Sequence, residues 1–154
     1  MNALQQTKVV NVIPPVAIVD NASWTTTEID TKGYDACAIY INLGATDIAM
    51  TALKVQESDT SGSGMADITG LVYGTSTLPT ADGGATSALP SATDDGTVFA
   101  FFISLQGRKR YLDVVATAGD GAAGTFASGI AVLYKAEQVP VTATDRGLAA
   151  NLIK

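Results

Sequence analysis

The chain has 154 residues, enough for one domain with a sizeable core. Only 16% of them are charged and the net charge is −6, which argues against general nucleic-acid binding, because that needs a basic face to displace counterions. The single cysteine, Cys37, rules out an intrachain disulfide, and the absence of histidine removes the commonest general base at neutral pH together with the usual Ser–His and Cys–His nucleophile pairs.

Alternation with period two recurs along the chain, and helical periodicity is nearly absent before the last residues. Residues 7–13 (TKVVNVI) predict a first strand that stops at Pro14-Pro15, since proline cannot donate to a ladder. Residues 16–19 resume it briefly before a turn at Asp20-Asn21, and 24–30 (WTTTEID) form a stretch rich in β-formers. Lys32-Gly33 is a turn signal. Residues 36–43 (ACAIYINL) are almost continuously apolar, which predicts a central strand. Residues 48–57 (IAMTALKVQE) read as another strand; Ala, Met, Leu and Lys also favour helix, but the alternation continues through its polar end. Residues 58–64 (SDTSGSG) read as a flexible loop by composition, 68–73 as a short strand, and 74–96 as a long stretch with no clear element. Then come the most hydrophobic strand, 98–105 (VFAFFISL), and 111–118 (YLDVVATA) after a basic turn. Asp120-Gly121 and Gly124 read as a hairpin connection, and 126–135 (FASGIAVLYK) close the sheet.

The expectation is an all-β fold of about eight antiparallel strands, spanning 7–135 of a single domain 1–154. Strand spacing alone leaves a jelly roll and an immunoglobulin-like sandwich both open. Residues 1–6 and 136–154 flank the core as candidate extended N- and C-terminal arms. The second carries Leu148, Leu152 and Ile153, which a purely solvated tail would not need.

Candidate chemistry is sparse. Cys37 lies inside an apolar strand and reads as a small buried hydrophobe. Two carboxylates can cleave a glycoside without histidine, and Asp94-Asp95, Glu28 with Asp30, and Glu57 with Asp59 are the pairs to weigh; turn positions such as SATDDGT ordinarily place acids in solvent. The same acidic loops could give oxygen ligands to calcium, but the EF-hand pattern is absent, and zinc lacks a donor set. No catalytic residue, cofactor site or metal site is therefore assigned, and the chain is expected not to be an enzyme. The sharpest charge feature is Arg108-Lys109-Arg110, either a docking patch for an acidic partner or a solvated turn. The apolar runs are far too short to span a bilayer as a helix, and residues 1–15 lack the pattern of a signal peptide, so synthesis in the cytoplasm is expected.

Four stretches, VVNVIPPVAIVDNASW (9–24), LGATDIAMTALKVQESD (43–59), LPSATDDGTVFAF (89–101) and LQGRKRYLDVVATAGDG (105–121), together resemble small proteins encoded among the structural genes of tailed double-stranded-DNA phages. These look like capsid decoration, or cement, proteins, and the resemblance covers about residues 8–135. It implies a jelly-roll-like β-sandwich on the outer surface of the phage head, clamping copies of the major capsid protein and assembling as a homo-trimer or homo-dimer, with no direct contact to nucleic acid or membrane. It carries no residue-level motif. Arg108, Lys109, Arg110, Leu148, Leu152 and Ile153 are the candidate capsid-binding residues from the reading of the chain itself. The alternatives are a carbohydrate-binding module of a phage tail or fibre, with Trp24 and Tyr73 as possible sugar platforms, and a histidine-free hydrolase using two carboxylates.

Overall fold

The computed structural model describes residues 6–138 and 142–152. Among them are eight strands: β1 (Lys8–Ile13), β2 (Ile29–Asp30), β3 (Tyr34–Thr46), β4 (Ala52–Ser58), β5 (Ala66–Val72), β6 (Val98–Ser104), β7 (Tyr111–Thr117) and β8 (Thr125–Ala136). They form two four-stranded sheets, β1-β8-β3-β6 and β2-β7-β4-β5, and every pairing is antiparallel. First pairs with last, second with seventh, third with sixth and fourth with fifth. That nesting is one long antiparallel ribbon rolled up on itself, and the pairings β3·β8 and β4·β7 close it into two layers. The fold is a jelly-roll sandwich.

Period-two patterning explains the layers. In β7, Leu112, Val114 and Ala116 are buried while the alternate residues are partly open, and in β4 Leu53 and Val55 point the same way. The facing layer supplies Ile39, Ile41 and Leu43 of β3, Phe101 and Ile103 of β6, and Leu133 of β8 to the same cluster. Fully burying one such side chain favours folding by about 1.5–3 kcal/mol, so this interlayer stack holds the sheets together.

Several expectations from the sequence change in the folded chain. Residues 16–19 make no strand: Val16 N–H donates to Pro14 O in a tight turn, and only Val19 bridges Thr125. Of 24–30 only Ile29–Asp30 is strand. The rest crosses between layers, with Trp24 N–H on Ala116 O of β7 and Thr27 N–H on Val12 O of β1. Asp120-Gly121 is not a hairpin turn, because β7 and β8 lie in different sheets. Carboxylates redirect that loop: Asp20 accepts from Gly121 N–H at 3.1 Å and Asp47 from Ala123 N–H at 2.6 Å. Asp47 is consequently held below the usual carboxylate range, first by the Ala123 amide.

The loop 58–64 is pinned despite its flexible composition. Ser58 Oγ donates to Ser63 O at 2.6 Å, and Glu28 accepts from Ser61 Oγ at 2.6 Å and Gly62 N–H at 2.8 Å. The region 74–96 is turns, a 3-10 turn at Thr80–Asp82 and a bridge Thr77↔Thr86; it docks on the sandwich where Met50 N–H meets Pro90 O at 2.8 Å. The described part of the C-terminal segment turns back on the core. Val9 N–H donates to Arg146 O at 2.7 Å, and a Cβ on Gly147, whose φ is +71°, would collide with Val9 O. Thr142 and Asp145 cap each other reciprocally at 3.0 and 3.1 Å and fix that turn. Residues 1–5, nearly all of the expected N-terminal arm, lie outside the described residues.

Candidate functional site: a charge-free sheet face

The two outer faces of the sandwich differ sharply. On β2-β7-β4-β5 most outward side chains are polar and engage one another, Val115 and Ala52 being the apolar exceptions on β7 and β4. Lys54 Nζ lies 2.8 Å from Asp67, which also accepts from Gln56 Nε2 at 2.7 Å. Thr26 Oγ1 donates to Asp113 at 2.7 Å across β7. Arg110 makes a two-pronged contact with Asp30 at 2.9 and 2.8 Å, and its guanidinium lies 4.8 Å from the centre of the Tyr111 ring. The Arg110 hydrogen bond draws the Asp30 carboxyl below its usual range, and Lys54 does the same to Asp67.

The outer face of β1-β8-β3-β6 carries no charge on its three interior rows. Cross-strand register sets Phe102, Ala38, Val132 and Val9 in one row, Ala100, Tyr40, Ile130 and Asn11 in the next, and Val98, Asn42 and Ser128 in a third. Inward partners on the same strands fill the core, so these residues lie on the outer side of the sheet, where Ala38 alone is buried, beneath its larger neighbours. Phe102 is 71% exposed, Val98 58%, Phe126 44% and Ile130 43%. They are half of the eight large hydrophobics exposed among the described residues, and none of the eight lies on a strand of the other sheet. Tyr40 meets Phe102 edge-on, 6.0 Å between ring centres. Burial, together with the neighbouring Tyr40 hydroxyl, pushes the Tyr134 phenol up.

The relief of this face is uneven. Small side chains at Asn42 and Ser128 leave a hollow walled by Tyr40, Val98 and Ile130. Phe102 stands proud on the far side of Tyr40 from it. The sheet's edges, by contrast, are covered by the chain itself. Arg146 and Thr27 bond the free side of β1. Beyond β6, Tyr73 donates to Ala100 O at 2.9 Å and packs edge-on against Phe99 and Phe101, at 5.2 and 5.1 Å. Strand addition is thereby blunted at both edges while the face stays open.

The residues singled out from sequence fall elsewhere. Arg108, Lys109 and Arg110 form the β6–β7 connection, and acids of the chain itself meet two of them. Arg108 Nη1 is 3.4 Å from Glu57, whose second oxygen accepts from Lys109 N–H at 3.1 Å, and Arg110 is bound to Asp30. The Lys109 ammonium makes no ion pair among the described residues. Leu148 is half-buried in the turned tail, Leu152 is fully exposed, and Ile153 lies outside the described residues.

The carboxylate pairs do not assemble a reactive centre. Glu28 is taken by the 58–64 loop, Glu57 by the basic turn, Asp94 by Ser91 at 2.8 and 2.9 Å, and Asp95 by Thr46 N–H at 2.8 Å. Among the described residues no three Asp, Glu, Cys or His side chains gather as metal ligands. Cys37 is buried against the core, and desolvation pushes its thiol up to about 12. Trp24 is buried and Tyr73 is packed between phenylalanines, so neither forms an exposed sugar platform.

Compared with known proteins, the chain matches no family model, no curated protein and no solved structure.

Proposed function

We propose that this chain is a structural protein of a tailed-phage virion: a decoration protein that binds the outer surface of the head and stabilises contacts between major capsid protein subunits. The reading joins the sequence resemblance to one structural observation, a jelly roll with a broad uncharged face whose candidate acids, Asp59 apart, are already engaged in holding loops and turns. Such a molecule acts by presenting surfaces, and no turnover is expected of it. A clip repeated across many equivalent seams stabilises the assembled shell by mass action, even where each contact is weak. Lys109 and the fully exposed Leu152 are the side chains most available to the capsid; Arg108 and Arg110 would first have to leave Glu57 and Asp30. In this reading the protein is made in the host cytoplasm, takes its place on the capsid exterior as a symmetric oligomer, and touches neither nucleic acid nor membrane.

Co-sedimentation with expanded capsids stripped of decoration tests the proposal. The protein is expected to pellet with the particles and not with free capsid subunits. Failure to pellet at concentrations of order 1 μM, near −8 kcal/mol of binding, contradicts it.

A second reading has one observation in its favour. Tyr40 and Phe102 put exposed rings on a flat sheet, the arrangement on which a sugar can stack. Groups on that face able to bond sugar hydroxyls are few, chiefly Ser104, Asn42, Ser128, Asn11 and the tyrosine hydroxyls, with no carboxylate among them, so this reading ranks second. A glycan-binding screen separates the two.

A further inference from the structure

We infer that the outer face of β1-β8-β3-β6 is a self-association surface, on which a second copy of this chain packs face to face. The inference stands on the face alone and does not require the capsid reading.

Charge selects the occupant. A chain of net charge −6 is repelled by its own copies wherever acids line the approach. Of the fifteen Asp and Glu residues, Asp35 stands at the end of β3 on this sheet and the others lie in loops or on the opposite sheet; none lies on the three interior rows of this face. Stacked sheets sit about 10 Å apart, so pairing through this face leaves the two charged outer sheets about 30 Å from one another. That is several times the roughly 8 Å screening length at physiological salt. Pairing through the Asp30–Asp67–Asp113 side would instead take the Arg110–Asp30 and Lys54–Asp67 pairs out of water, at a desolvation cost the uncharged face does not carry. A strongly charged partner would find nothing on the uncharged face to steer it or to pair with.

Shape agrees with charge. In a two-fold contact each copy must offer both the projection and its receptor on one patch. Phe102 supplies the projection, and the hollow over Asn42 and Ser128 supplies the receptor. The edges of the same sheet are closed by Arg146, Thr27 and Tyr73, so the contact is made by side chains across the face rather than by extending the sheet.

Area sets its strength. Four strands about 4.8 Å apart and about seven residues long at roughly 3.3 Å each give a plan on the order of 400 Å². Side-chain relief enlarges this toward, though not up to, the ~800 Å² per partner of a standard interface. The pairing is therefore expected to be concentration-dependent rather than obligate.

Sedimentation equilibrium of the purified full chain over a wide concentration series is the test. The wild type is expected to rise from the 15.7 kDa chain mass toward twice that value. Phe102→Asp and Ile130→Lys should each weaken association by at least about a hundredfold. Both sites are exposed, so both variants should keep the wild-type circular dichroism, while Val115→Asp on the opposite sheet should leave association unchanged. A wild type that stays monomeric throughout overturns the inference, as does association that the face variants leave intact. Loss of capsid co-sedimentation in Phe102→Asp, with a wild type that never dimerises, would assign the face to another protein and also overturn it.

Discussion

The two outer faces of this sandwich are each built by four of the eight strands, with the same period, and they solve opposite problems. On β2-β7-β4-β5, Lys54, Asp67, Gln56, Arg110 and Asp30 satisfy one another in water. On β1-β8-β3-β6, Phe102, Val98 and Ile130 stand in water with nothing to satisfy. Exposed apolar side chains scattered singly are ordinary, but a contiguous set on one sheet marks a surface awaiting a cover. The difference is why the proposed function rests on a face.

The largest expected effect concerns what lies between the faces. Cys37 points into that layer, and its raised thiol, about 12 against an ordinary 9.0, slows attack by a thiol reagent by about a thousandfold through lost thiolate alone. Labelling should follow global unfolding in a denaturant series; rapid labelling of the folded chain would mean that the layers are not closed. Next comes Ile39→Ala, which opens a cavity in the same layer and should cost about 2–5 kcal/mol in chemical denaturation. A loss well under 1 kcal/mol would show that β3 does not bear on both sheets.

Smaller effects distinguish the faces themselves. Asp30 and Asp67 have folded-state pKa values below their unfolded ones, so their contribution is fully present above the unfolded value and is lost as pH falls through the folded one. Stability should therefore drop below about pH 4. Asp30→Asn should flatten that drop, while substitutions on the uncharged face leave it unchanged; an acid profile unaltered by Asp30→Asn would remove the pairing with Arg110 from the account. The smallest effect is on folding from the apolar face: Val98→Thr should change monomer stability by no more than about 0.5 kcal/mol, measured by thermal unfolding of dilute protein. A large loss there would make the face part of the core.

The class of fold was legible because alternation is local. The alternating strands β4 and β7 can be read from YLDVVATA and TALKVQES without knowing what packs on them. Connections were less legible. The Asp120-Gly121 signal suggests a hairpin, but the next strand changes layer, and the loop is bonded by Asp20 and Asp47, residues remote in the chain. Trp24–Ile29 shows the same limit: β-forming residues are used to cross between layers, because their partners, Ala116 and Val12, belong to different sheets.

The open apolar face was less legible, for a related reason. ACAIYINL and VFAFFISL are apolar at both parities; the first reads as a central strand, which it is, between β8 and β6, but neither run by itself says which of its sides is left open. In a two-layer sandwich one side of every strand faces outward, so an unbroken apolar run there signals an open apolar face. The basic run Arg108-Lys109-Arg110 reads as either a docking patch or a solvated turn, and the sequence does not show that Arg108 and Arg110 meet Glu57 and Asp30, which lie 51 and 80 residues away.

Hydroxyl-radical footprinting at low and high protein concentration tests the contrast between the faces most directly, because it reads side-chain access residue by residue. Phe102 and Tyr40 should lose reactivity as concentration rises, while Tyr111, on the opposite sheet, should not change. Protection of Tyr111 with Phe102 left fully reactive would contradict the assignment of the uncharged sheet as the surface through which this protein associates.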